Sequence, residues 1–153
     1  MRKIVSFLVV LVGFLSCQSN HKSEKMNNSV IVKESPLDFP TTYLQVKSKI
    51  ENNPNLKLIF ELDHSENASK KDLSLRPTKL LIFGNPNLGT PLMNVAPTLA
   101  IDLPQKIMIY EEAGKVFITY NNPKYLKERH NIEGKDELLN KISNALNKLT
   151  TVE

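Results

Sequence analysis

Apolar positions recur along the chain at two different spacings, and the changes between them predict the elements. From Val30 to Ser35 (VIVKES) branched apolar residues alternate with polar ones, the pattern of a strand. Phe39, Tyr43, Val46 and Ile50 then recur at helical spacing. Pro36 to Pro40 starts this helix, Asp38 is a candidate cap, and Asn52-Asn53-Pro54 stops it. Leu56 to Leu62 returns to alternation and predicts a strand with Leu56, Leu58, Phe60 and Leu62 on one face. Ser65 to Asp72 reads as a short helix capped by Ser65. Lys79 to Phe83 (KLLIF) is the apolar run of a central strand buried on both faces.

Thr90-Pro91 predicts a cap-then-proline helix start that buries Leu92, Val95 and Leu99, with Pro97 kinking or ending it. Gln105 to Glu111 and Lys115 to Tyr120 are two strands joined through Glu112-Ala113-Gly114 as a hairpin. Asn122-Pro123 caps a short helix reaching about Arg129, and Gly134 separates it from the last one. In Asp136 to Leu149 the residues Leu138, Leu139, Ile142, Ala145, Leu146 and Leu149 form one apolar stripe, with Glu137 and Lys141 paired on the polar side. The sum is an α+β fold, an α/β sandwich of one mixed sheet of about five strands with helices packed against it.

The first 29 residues read differently. Arg2 and Lys3 precede an apolar stretch from Ile4 to Leu15 that is too short to span a membrane comfortably, the pattern of a secretory signal. It runs into Phe14-Leu15-Ser16-Cys17, which resembles the lipobox of bacterial lipoproteins and implies cleavage before a lipid-modified Cys17. Residues 1–16 are thus expected to be a signal peptide. Residues 17–29 are the lipidated cysteine and a polar tether, and residues 30–153 a single domain. The expected location is the cell envelope, with the membrane as a partner through the lipid on Cys17. With one cysteine in 153 residues, no intramolecular disulfide, CxxC pair or cysteine zinc cage can form.

Locating the charge removes another function class. Arg2, Lys3, Lys22 and Lys25 against Glu24 alone contribute +3 of the formal +4, so only +1 remains from Val30 onward. The later lysines are interspersed with acids, and no basic stripe for a phosphate backbone emerges. Nucleic acid is not an expected partner.

Several segments together resemble the domain-of-unknown-function 302 family. They are Leu62-Asp63-His64, the stretch Phe83-Gly84-Asn85-Pro86-Asn87-Leu88-Gly89-Thr90-Pro91-Leu92-Met93, then Leu103-Pro104, and finally Tyr120-Asn121-Asn122-Pro123-Lys124-Tyr125-Leu126. The order and spacing fit from about Val30 to Ile132, and the FGNP…GTPLM stretch is the most specific piece. The resemblance implies a small α/β domain, often dimeric, with no settled activity.

The candidate chemistry is sparse. Gly84-x-x-x-x-Gly89-Thr90 has half of a phosphate-loop signature, but the lysine after the second glycine is absent and Pro86 and Pro91 remove two backbone donors. A tight strand-to-helix connection that needs glycine for unusual backbone angles is the first reading; a weaker small-ligand or anion pocket is the second. Asp63-His64 ends a strand and could serve as an acid/base pair or as metal ligands, but neighbours on a strand point to opposite faces, and a helix cap for Asp63 with a hydrogen-bonded His64 at the strand end is the first reading. A three-ligand metal site would have to assemble from residues as distant as His64, Asp63 and Met93. Neither a nucleophile elbow nor a triad order is present.

The expectation is therefore a non-enzymatic module for a small ligand or partner, with no cofactor or metal. Its candidate site is Asp63, His64, Asn85, Gly89, Thr90, Met93 and Tyr120. The alternatives are an enzyme or metal-binding protein using Asp63 and His64, and a purely structural homodimer.

Overall fold

The computed structural model describes residues 29–153. The signal peptide, the Cys17 lipidation and the tether expected ahead of Ser29 lie outside the described residues. Five strands form one sheet in the order β1-β5-β4-β3-β2: β1 Val30–Ser35, β2 Lys57–Asp63, β3 Thr78–Gly84, β4 Gln105–Glu112 and β5 Lys115–Asn121. The helices are α1 Phe39–Glu51, α2 His64–Ser69, α3 Pro86–Met93, α4 Pro123–Arg129 and α5 Asp136–Leu149, with a 3₁₀ turn at Pro97–Ile101. The expected α+β class and strand number hold. The strand directions do not mix, however, because all four ladders are antiparallel. The two edge strands β1 and β2 consequently run the same way, and α1 crosses the sheet to connect them.

One face of the sheet carries the core. Leu81 and Phe83 of β3, Ile107 and Ile109 of β4, and Val116, Ile118 and Tyr120 of β5 are buried there. They pack with Val46 and Ile50 of α1, Leu92 of α3, and Leu139, Ile142, Leu146 and Leu149 of α5. The burial of α1 follows its predicted stripe, and Asp38 caps it by accepting the Thr41 amide at 2.7 Å. Thr42 is polar yet fully buried in this helix; its hydroxyl is satisfied by Ser35 Oγ at 2.6 Å and by the Leu37 carbonyl.

Among the described residues nothing covers the opposite sheet face, and it holds the main departure from the predicted pattern. The β2 register shifts between Leu58 and Phe60, so Leu58 pairs with Phe83 while Phe60 pairs with Ile82. Cross-strand partners share a face, so Leu58 looks into the core while Phe60 and Leu62 look the other way. The uniform alternation expected from Leu56 to Leu62 is broken by this bulge, and Phe60 is left 55% exposed.

Two helix starts also move. Asp63, not Ser65, caps α2. The third helix begins at Asn85-Pro86 and not at Thr90-Pro91, because Asn85 Oδ1 accepts the Asn87 amide at 2.9 Å and Pro86 fits the first turn. Pro91 then lies inside α3, where it withholds one donor two residues before the helix ends. Val95, expected to be buried, falls past that end and is 47% exposed. In the hairpin, Glu112 pairs with Lys115, so the loop shortens to Ala113-Gly114, both with positive φ (51° and 75°). That pair of signs is the two-residue turn whose twist matches the strands.

Candidate functional site

An apolar cavity of about 340 Å³ lies at the end of the sheet, beneath α3 and against α5. Phe83 and Gly84 end β3 at its base, Leu103 and Pro104 close one side, and Met93 closes another. Ile142, Ala145, Leu146 and Leu149 form the wall supplied by α5. Polar groups are confined to a few positions, namely Lys57, Asn85, Thr90 and Gln105. The volume sits near the lower end of the ~300–1,000 Å³ typical of ligand pockets, which are likewise mostly apolar with a few placed polar groups.

Four of the seven expected site residues line this cavity: Asn85, Gly89, Thr90 and Met93. The other three do not join them. Asp63 lies at the far end of β2, since Lys57 pairs with Gly84 beside the cavity while Asp63 pairs with Lys79. The six-residue offset corresponds to roughly 20 Å along a strand. Tyr120 is buried on β5 under the helices, with Lys33 Nζ 5.9 Å from its ring centre. Burial raises its phenol above the ordinary range, and Thr150 acts in the opposite direction.

Asp63 is fully engaged where it stands. Its Oδ1 accepts from Ser65 Oγ at 2.6 Å and from the Glu66 amide at 2.9 Å, and Oδ2 lies 3.2 Å from Lys79 Nζ. Burial pushes the carboxyl up, but the bonds from Ser65, the Glu66 amide and Lys79 together outweigh it and hold the group at about 2. The carboxylate is a helix cap and an ion-pair partner, and no hydrogen bond joins it to His64. Lys79 also stands over the Tyr43 ring at 4.8 Å, and Tyr43 donates to Glu61, which pairs with Lys47 at 2.7 Å. This end of β2 is a closed charge network on the flank of α1.

The glycines act differently from their expected role. Neither Gly84 nor Gly89 has a positive φ, so the connection is not held by unusual glycine backbone angles. Gly89 lies within α3, where a Cβ would stand 3.4 Å from Leu103 Cδ1, so the bare backbone forms part of the cavity wall. An anion cradle is also ruled out by the donors: the Asn87 amide goes to Asn85 Oδ1, and the Leu88 and Gly89 amides go to the Asn85 carbonyl.

Sequence reading passed over a second polar cluster. His130 Nε2 lies 2.6 Å from Asp102 Oδ2, and its Nδ1 lies 2.9 Å from Thr98 Oγ1. Arg129 Nη1 lies 3.3 Å from the same carboxylate. The imidazole and carboxylate are nearly enclosed, at 4% and 12% exposure. This cluster ties the 3₁₀ turn to the C-terminal end of α4. Its members are 28 residues apart, and no spacing along the chain announces such a contact. Among the described residues no group of three or more His, Cys, Asp or Glu could hold a metal ion.

The architecture defines a two-layer α+β domain, with helices on one face of an antiparallel sheet and an apolar cavity where the strands end. The chain belongs to the family described as domain of unknown function DUF302, whose pattern matches residues 31–149. The fold is that of an uncharacterized conserved DUF302 protein from Bacillus stearothermophilus known from its crystal structure. The two superpose with a TM-score of 0.70 at 18% identity, covering 79% of this chain and 94% of the other. The chain is also 33% identical over 108 residues to proteins named fluoride-specific ion channel FluC 1, from Brucella suis biovar 1 (strain 1330) and Brucella abortus biovar 1 (strain 9-941). The match covers 70% of this chain but only 42% and 40% of those proteins, so the chain spans about two fifths of their length. Among the described residues no helix is long and apolar enough to cross a membrane.

Proposed function

We propose that this protein is an envelope lipoprotein whose domain is a non-enzymatic binding module, and that its site is the cavity between α3 and α5. The observation that carries this reading is the cavity itself, an apolar space of about 340 Å³ walled by Leu103, Met93 and Leu146, with a few polar groups at its edge. The acid/base alternative loses its support because Asp63 is spent on capping α2 and pairing Lys79. A neutral apolar probe such as 1-decanol should raise the Tm of the purified protein; a ligand at about a hundred times its Kd adds about 2.7 kcal/mol. Ala145→Phe, which fills the cavity from a half-exposed position, should abolish that rise. A rise that survives Ala145→Phe would place the binding elsewhere.

The membrane side of the reading rests on Cys17 and its lipobox-like setting. Several acyl chains on one residue hold a protein to a bilayer stably. Cys17→Ser should therefore release the protein from membranes or block its processing, as read by fractionation and gel mobility; unchanged fractionation would overturn the anchor. The similarity to proteins named as ion channels fits an accessory domain held beside a membrane protein. The pore is a different matter, because the described residues offer no spanning helix.

We also place a second copy of the chain on the uncovered sheet face. Val30, Val32 and Phe60 are exposed there, and Tyr110 stacks on Phe117 with ring centres 5.3 Å apart. The pairs Glu34–Lys115 and Arg76–Glu112 put both charge signs around this face, which suits a two-fold pairing of identical surfaces.

A further inference from the structure

We infer that the cavity takes a single medium-length acyl chain ending in a carboxylate, with Lys57 as the head-group partner. This inference rests on the binding reading above and specifies the ligand of that same site.

The apolar part follows from size and lining. A cavity of 150 Å³ lined by aliphatic and aromatic residues takes up benzene. At about 340 Å³ this one holds somewhat more than twice as much, on the order of a dozen carbons by that scale. Its walls are the side chains of Leu88, Met93, Leu103, Ile142 and Leu146, with no charged group among them. Such a wall gives nothing to a sugar or a nucleotide, each of which would bury several polar groups without partners. A diacyl lipid is too large for it. One unbranched chain is the ligand shape that gains from apolar contact throughout.

The head group follows from the mouth. Lys57 lines the cavity and makes no hydrogen bond or ion pair to any described residue, unlike Lys47, Lys70, Lys79, Lys115, Lys127 and Lys141, each of which has a carboxylate partner. Gln105 also lines the cavity, and its side chain makes no hydrogen bond to any described residue. An ammonium and an amide at the edge of an apolar space suit an anionic head with a lone-pair oxygen to spare. No acidic side chain lines the cavity to compete for Lys57. A fatty carboxylate satisfies both halves together.

Decanoate and 1-decanol differ only in the head and make the test. Binding of each is measured by calorimetry in the purified protein and in Lys57→Glu and Ala145→Phe. The expected result is decanoate binding that weakens about tenfold in Lys57→Glu, decanol binding that stays unchanged there, and loss of both in Ala145→Phe. Decanoate binding that ignores Lys57→Glu, or decanol binding without decanoate binding, would overturn the carboxylate inference and leave the cavity reading standing. Failure of both probes in the unsubstituted protein would overturn the cavity reading as well. Lys57 is exposed at the first position of an edge strand, so loss of folding does not obscure the result.

Discussion

Ile118→Ala is expected to cost about 3–4 kcal/mol and to lower Tm by on the order of 10 °C or more. Ile118 is fully buried at the centre of β5, opposite Ile109 on one side and Lys33 on the other, under the helix layer. Removing its branch leaves a space that a sheet held by two ladders cannot collapse to fill. Phe60→Ser is the matched control. Phe60 is the larger side chain, but the β2 bulge turns it to the open face, so the same experiment should show a loss of about 1 kcal/mol or less in the monomer. If the open face holds a second copy, Phe60→Ser should instead lower the sedimentation coefficient at working concentration. Equal stability losses at the two positions would contradict the assignment of faces. A monomer before the substitution would remove the dimer.

The second large effect is expected at the cluster that sequence reading passed over. Asp102→Ala and His130→Ala should each cost about 1–3 kcal/mol, because each removes the 2.6 Å contact and leaves a nearly enclosed polar group with only its second partner, Thr98 for His130 and Arg129 for Asp102. The double variant should lose less than the sum, by about 0.5–3 kcal/mol, since both single changes remove the same bond. Urea titration of the four proteins closes the cycle. Strict additivity would mean that the 2.6 Å contact carries no coupling and that the 3₁₀ turn is held by Leu99 and its neighbours alone. The cluster matters for the cavity because Leu103, in its wall, directly follows Asp102. A loosened 3₁₀ turn should therefore also weaken ligand binding, although neither polar residue touches the cavity.

These two experiments bracket what was readable along the chain. The period-3.6 stripe of α5, the cap and stripe of α1, and the hairpin strands β4 and β5 all lie where the pattern predicts them. In each, burial on one face enforces one periodicity, and a local cap or turn fixes an end. The pieces that carry the family resemblance are legible for a similar reason, because FGNP…GTPLM holds both the cap of α3 and much of the cavity wall. The start of α3 differs from the expected one because the segment offers two cap-then-proline signals, Asn85-Pro86 and Thr90-Pro91. The earlier one wins once its side chain takes the Asn87 amide.

The sequence by itself determined the α+β class and most of the strands and helices. Only the tertiary structure decided which special residues meet. Asn85, Gly89, Thr90 and Met93 share one cavity because a single strand-to-helix segment carries them all. Asp63 stands apart because β2 begins beside the cavity and ends away from it, and Tyr120 because β5 lies two strands over from β3. The wall from α5, the free Lys57 and the contact between Asp102 and His130 come from parts of the chain brought together by packing. No periodicity records such contacts, because a side chain's partner across space is set by register, crossing and burial and not by its neighbours in sequence.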